Sequence, residues 1–403
     1  MNSAVTEKPV VVMTTSTYPR WCRDAEPRFV HELARRLTGR FRVVVLCPHA
    51  QGAATREDID GVTVVRYRYA PARLETLVNG GGIAENLKRY RWKWLLVPGF
   101  LLMQWLELIR ITWQYKPAVV QVHWIIPQGL VAAMARPFMR STALAVTSHG
   151  ADLYAFRGAL MQRIKQWVLR QAAATTVVSH SMLAPLDALG VPRTRISVLP
   201  MGVDLRGQFV PGDQCERNDC ELLFVGRLVE KKGLSELISA LPLILSERPD
   251  VYLTIVGAGP VEHEARARAE SLGVAQRIRF VGAVPQTDLP AYYRRAAMLV
   301  APFIRAGSGD QEGLGLVVAE ALGCECPVVV GDVPSMQDFK LTPVDARNPR
   351  KLSAAILEVI KLSPNGRALI AREQRERCLA GFDWFVAASR YEQLFSELAE
   401  EES

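Results

Sequence analysis

The stretch "SGDQEGLGLVVAEALGCECPVVV", Ser308 to Val330, sets two glutamates, Glu312 and Glu320, with seven residues between them in an otherwise apolar, glycine-bearing run. Carboxylates are seldom buried without partners. Gly313 and Gly315 allow the backbone a sharp turn after Glu312, and a helix is expected to start near Gly315. The free N–H groups and dipole of such a helix start form an anion site. Glu320 falls inside that helix, early enough to reach the same ligand, and a carboxylate accepts hydrogen bonds from neighbouring hydroxyls, as on a ribose. Glu312 sits in the loop, where a sugar would lie. Spacing alone leaves a plainer reading open, with one exposed loop glutamate and one on a helix surface.

Working outward, "PVVV" at the end of the stretch is a short β-branched run, and similar runs recur along the chain. "PVVVMTT", "FRVVVLCP", "AVVQVHW", "ALAVTSHG", "ATTVVSHS" and "RISVLPMGVD" read as strands in the first half. "EPRFVHELARRL" has helical periodicity, with Phe29, Val30, Leu33 and Leu37 on one face. After the polar, turn-rich "DLRGQFVPGDQCERNDC" the pattern restarts with "ELLFVGRL", "VYLTIVGAG", "RIRFVGAV" and "MLVAPF". Short buried runs separated by helices indicate parallel strands with crossovers. The fold class expected is α/β, with two Rossmann-like doubly wound domains facing across a cleft. The first spans residues 1–204, a linker 205–220, the second 221–380, and a last helix 381–403.

Ligands of open parallel sheets lie beyond the carboxyl ends of the strands, so the loops there are the places to look. "VGRLVEKKG" sets Arg227 and Lys232 between a strand and a helix opening at Gly233. Arg grips phosphate oxygens in a bidentate fork and Lys acts as a point charge, a pair suited to a diphosphate. Lys231 is expected to face water; solvated charge is the alternative for the other two. His149 in "SHGAD" and His123 in "QVHWIIPQG" end strands, and Asp152 follows His149 closely. A strand-end histidine is usually structural, but one facing a cleft can donate to a sugar hydroxyl or leaving-group oxygen. No Walker-type loop, His-Glu-x-x-His or Asp-x-Asp after an apolar strand occurs. "VGAGP" lacks the third glycine of a dinucleotide fingerprint. "DID" at 58–60 reads as a turn in a polar connection. No metal ligand set and no cofactor are expected.

The chain of 403 residues has globular composition, and "MNSAVTEKPVVVMTT" is unlike a secretory leader. Its seven cysteines are scattered and read as reduced thiols of a cytosolic protein. Residues 1–205 hold 26 Lys and Arg against 13 Asp and Glu; the rest hold 23 against 28. Such asymmetry favours an anionic partner for the first half, and a membrane surface fits better than nucleic acid, for which no aromatic–basic module is present. The segment Arg89 to Lys116, "RYRWKWLLVPGFLLMQWLELIRITWQYK", is basic at its start and rich in tryptophan. Trp92, Lys93, Trp94 and Trp105 suit a headgroup boundary; a buried helix is the alternative. Its uncharged run, Trp94 to Leu106, is too short to span a bilayer, and Pro98 and Gly99 are expected to interrupt the helix.

Taken together, "GRLVEKKG", "QEGLGLVVAEAL", "PMGVD" and "SHGAD" resemble glycosyltransferase family 4, retaining nucleotide-sugar enzymes of GT-B fold. The resemblance runs through most of the chain and is densest in the second domain. It implies that Arg227 and Lys232 hold the donor diphosphate and that Glu320 binds the nucleotide ribose. Glu312, with the backbone of Gly313, Leu314 and Gly315, would meet the transferred sugar and phosphate. His149 would contact that sugar, and the backbone around Val284 would face the base. The last helix would return to the first domain. Thr17 and Arg20, with His123 and Asp152, are the acceptor-side candidates. The chain departs from the family in its first loop, "STYPRWCRDAEP", and after Pro327, where "GDVPSMQDFKLTPVD" lacks a glycine pair; Glu325 stands where the family prefers glycine. The implied activity is a metal-independent hexosyltransferase using a UDP- or GDP-linked donor. Its acceptor would be lipid-linked or a polysaccharide precursor, and it would work in the cytoplasm, peripheral to the inner membrane face. A nucleotide-sugar epimerase or a non-catalytic nucleotide-sugar-binding partner are the alternatives.

Overall fold

The structure, a computed structural model, describes residues 8–401 except 22–23, 25–26, 79–81, 140, 155–157 and 213–216. The chain divides into two compact units. One comprises residues 1–178, 183–199 and 388–403; the other comprises 179–182 and 200–387.

The first unit holds β1 (Val10–Thr14), β2 (Arg42–Pro48), β3 (Arg56–Ile59), β4 (Val62–Tyr67), β5 (Val119–His123), β6 (Ala143–Ser148), β7 (Ala174–Val177) and β8 (Ile196–Val198). They form one sheet in the order β3-β4-β2-β1-β5-β6-β7-β8, parallel except for the β3–β4 hairpin. The apolar runs of β1, β2, β5 and β6 are buried on both faces because helices cover a parallel sheet on both sides. The hairpin is a departure from expectation. Asp58 and Ile59 lie on β3, and only Asp60 and Gly61 turn the chain, at φ 52° and 79°. Asp-Gly between two alternating runs is the signal for such a two-residue turn. The Asp60 carboxylate lies 2.8 Å from Nε2 of the buried His31, tying the hairpin to the helix Phe29–Leu37.

The second unit holds β9 (Asn218–Val225), β10 (Tyr252–Val256), β11 (Ile278–Gly282), β12 (Ala296–Ala301), β13 (Val328–Gly331) and the two-residue β14 (Pro343–Val344). They run parallel in the order β11-β10-β9-β12-β13-β14. The order reverses at β9 and β12, the kind of switch point beside which α/β sheets bind ligands. Leu237, Leu241 and Ile244 of the helix Leu234–Glu247 share a core with Leu352, Ile356 and Ile360 of the helix Pro349–Lys361. Leu205 and Phe209, from the turn-rich stretch, are buried as well. The helix Trp384–Glu401 passes from the second unit into the first, where Tyr391 and Phe395 are buried and Phe395 packs on Phe41.

The tryptophan-rich segment needs three corrections. Pro98 lies in the first turn of the helix Val97–Tyr115, where its missing N–H costs nothing, so the helix starts there and is not interrupted. Together with the preceding turn it makes Arg91–Tyr115, which by length and composition is apolar enough to cross a membrane, although a third of its most apolar window is buried. Phe100, Gln104, Leu108 and Ile111 face inward, the pattern of a helix packed on a sheet. Lys93 is buried, and its Nζ donates to Thr76 O (2.8 Å) and Asn86 Oδ1 (2.6 Å), which removes it from any headgroup contact.

Candidate functional site

In the second unit the loop after β9 leads through Gly226, the exposed Arg227 and a short turn to Gly233, which caps the helix Leu234–Glu247. At φ 72° a Cβ on Gly233 would lie 1.8 Å from Pro302 O, so only glycine lets this turn seat against the end of β12. That seating aims Lys232 at the loop after β12. Its Nζ lies 4.7 Å over the Phe303 ring and 2.8 Å from Glu312 Oε2, an ion pair off the line of a hydrogen bond. The other oxygen, Oε1, accepts the Gly315 N–H at 3.2 Å. Gly315 (φ 80°) caps the helix Leu316–Gly323, as the reading of the glutamate stretch requires. Lys231 does not face water: its Nζ pairs with Asp310 at 3.1 Å, pinning the same loop from the other side.

Burial by itself would raise the Glu312 carboxyl. The charges of Lys232 and Lys231 and the Gly315 N–H outweigh it and hold the group down at about 2. Glu312 is therefore ionised, and the paired ammonium beside a helix start is a place where an anion can exchange for it. Glu320 is buried, not a surface residue. Its Oε1 accepts from Gln286 Nε2 (2.9 Å) and its Oε2 from Tyr293 OH (2.8 Å). Burial raises this carboxyl, against the pull of those two donors and of Lys232. Lys232 thus acts electrostatically on both glutamates. Val284 lies in the same loop as Gln286, just after β11. Sequence reasoning missed Gln286 and Tyr293; nothing in "PQTDLPAYYRRA" marks them, because their role comes from how this loop and helix meet Glu320. Gly313 and Leu314 are buried between the two glutamates.

In the first unit His123 ends β5 opposite Thr147 of β6, and His149 follows two residues later. His123 Nδ1 and His149 Nε2 are 2.9 Å apart, with the rings nearly parallel. Phe29 and Trp124 pack on His149 with ring centroids 5.0 Å away. Burial pushes the His149 imidazole down to about 3 and His123 well below its usual range. The Asp152 carboxylate is committed internally, accepting Ile125 N–H (2.6 Å) and Ser148 Oγ–H (2.8 Å); it braces the two strand-end loops. Arg20 is forked onto Asp24 (2.7 and 2.5 Å), and the Thr17 N–H is bound by Thr15 Oγ1. The structure therefore brings Lys232, Glu312, Gly315 and Glu320 together in one unit and His123, His149 and Asp152 together in the other. Among the described residues no group of three or more His, Cys, Asp or Glu is placed to hold a metal.

Residues 27–202 match the glycosyl transferase 4-like domain, and residues 215–377 match the glycosyl transferases group 1 family. A GDP-mannose-dependent alpha-(1-6)-phosphatidylinositol monomannoside mannosyltransferase of Mycobacterium tuberculosis is 30% identical, over 68% of this chain and 72% of its own length. A glycogen synthase of the same organism is 26% identical, over 96% and 94%. Among solved structures, sucrose-phosphate synthase from Thermosynechococcus elongatus superposes with a TM-score of 0.79 at 19% identity, over 97% of this chain and 99% of that one, a likeness of fold.

Proposed function

The chain belongs to the family 4-type glycosyltransferases of GT-B fold, and from that premise we propose that it is a retaining, metal-independent hexosyltransferase. Its donor is a UDP- or GDP-linked sugar, and its acceptor is lipid-linked or a polysaccharide precursor. The observation that carries this reading is the Lys232–Glu312 pair set 3.2 Å from the N–H of a helix-capping glycine. The bond that breaks joins the anomeric carbon to the diphosphate, so negative charge grows on the leaving oxygen. Lys232 and the helix start at Gly315 are held in place beside Glu312, and with Arg227 they are assigned to receive that charge. Glu320, oriented by Tyr293 and Gln286, takes the ribose hydroxyls, and Glu312 takes the transferred sugar. His149, in the first unit, has the role of a donor to a sugar hydroxyl. Retention follows from attack on the face the diphosphate leaves, with the phosphate assisting proton removal.

The relative named for a phosphatidylinositol mannoside acceptor favours the lipid-linked alternative. So does the surface of the first unit. Leu95, Leu102, Leu106 and Trp113 fall on one stripe of the segment Arg91–Tyr115 and are 45–82% exposed, with Trp92 and Trp94 also exposed. Such a stripe next to Lys88, Arg89 and Arg91 suits the boundary of an anionic bilayer and supports our reading of a peripheral enzyme on the cytoplasmic membrane.

Thermal shift against UDP, GDP and their sugars tests the donor: one nucleotide class should raise Tm, and no shift with any of them overturns the reading. Activity unchanged by a chelator and a product of unchanged anomeric configuration are expected. Flotation with anionic vesicles should weaken when Trp92 and Trp94 are replaced; unchanged flotation removes the membrane assignment.

A further inference from the structure

We infer that His123 is a positioning residue for His149, holding its ring and deciding which of its nitrogens carries the proton. The catalytic consequence rests on the role proposed above for His149; the hydrogen-bond polarity of the pair does not. His123 is fully buried and its Nδ1 faces His149 Nε2 at 2.9 Å. Its other nitrogen, Nε2, is buried and has no hydrogen-bond partner among the described residues. Burial holds both rings neutral, so a single N–H joins them and two arrangements exist. If His149 donates, His123 must carry its proton on Nε2 and bury an N–H that donates to nothing. If His123 donates, only a lone pair is left there. Buried orphan N–H groups are the rarer fault, and the second arrangement follows: His123 Nδ1–H donates to His149 Nε2, and His149 carries its own proton on Nδ1.

Ring stacking and strand pairing hold the two histidines face to face. His149 is packed between Phe29 and Trp124. His123 is anchored by the β5–β6 pairing, and the neighbouring Gln121 and Thr176 bond to Thr147 Oγ1 at 2.9 and 2.7 Å on the same face. His149 is therefore presented as a fixed neutral donor at Nδ1, suited to a sugar hydroxyl or a leaving oxygen and unsuited to accept a proton there.

The test begins with the full chain labelled with ¹⁵N-histidine, whose two-bond proton–nitrogen correlations separate the neutral tautomers; His149→Asn assigns the signal. Both histidines should be Nδ1–H, and an Nε2–H His149 overturns the inference. His123→Phe keeps a ring and deletes the donor. It should let His149 exchange between tautomers and lower kcat ~10²-fold, the cost of a misplaced reacting group, with donor KM changed less than about twofold. His123→Asn, which restores an N–H near the same point, should recover most of the kcat. A His123→Phe enzyme with unchanged tautomer and kcat also overturns it. If no transfer is found with any donor, the tautomer measurement still decides the histidine pair, while the functional proposal fails separately.

Discussion

Lys232→Met is the most informative single change, because it strips a buried carboxylate of its cation. The Lys232 and Glu312 side chains are 13% and 14% exposed, so solvent screens their interaction little. The folded Glu312 carboxyl lies at about 2 against an ordinary 4.5, a gap that converts to ~3 kcal/mol of stability at pH 7. The net shift already contains the opposing burial penalty, and stripping one partner from a buried pair costs ~3–5 kcal/mol, so ~3 kcal/mol sets the scale of the loss. The sign follows from the direction of the shift. A carboxyl depressed by folding contributes stability above its unfolded pKa, and that stability is lost as the pH falls toward the folded value. The deficit of Lys232→Met should be full at pH 7 and shrink below 4.5, to ~2 kcal/mol by pH 3.5. For a domain of this size ~3 kcal/mol is a Tm drop of roughly 6–12 °C. Thermal melts of wild type, Lys232→Met, Glu312→Gln and the double variant at pH 7, 5 and 3.5 measure it. The double variant should regain most of the loss at pH 7, because no charge is left buried alone, yet still fail to shift with nucleotide. A deficit equal at every pH, or a double variant no more stable than Lys232→Met, would refute the electrostatic account.

Other outcomes follow from the same geometry. Gly315→Ala puts a Cβ 2.9 Å from Met336 Cε and 3.0 Å from Phe303 Cε2 at φ +80°; it should cost ~1–3 kcal/mol in denaturant titration and weaken nucleotide binding. Tyr293→Phe removes a donor from buried Glu320. It should lower stability by ~1–3 kcal/mol, push the Glu320 carboxyl further up and move the acid limb of donor binding to higher pH. Lys93→Ala leaves Thr76 O and Asn86 Oδ1 without their donor and should destabilise by ~1–3 kcal/mol. Trp94→Ala, at an exposed position, should change Tm little and affect only vesicle flotation.

The strand runs, the helix starts at Gly233 and Gly315, and the spacing of Glu312 and Glu320 were readable without coordinates. Each depends on backbone geometry and periodicity within about a dozen residues. So was the link from Asp60 to a turn, although the antiparallel pairing of the strands around it was not. Partnership between distant segments was not readable. Lys231 and Lys232 are adjacent, yet one pairs with Asp310 and the other with Glu312. Lys93 reads as a headgroup anchor beside the tryptophans, yet it turns inward, and Trp105 packs on Phe138 with its Nε1 buried. Asp152 looked available to a substrate, and it is spent on Ile125 and Ser148. The physical reason is range. Periodicity and glycine placement act through neighbouring dihedrals, which the chain carries in its order. Burial, pKa and the choice of hydrogen-bond partner arise only when strands far apart in the chain are laid side by side.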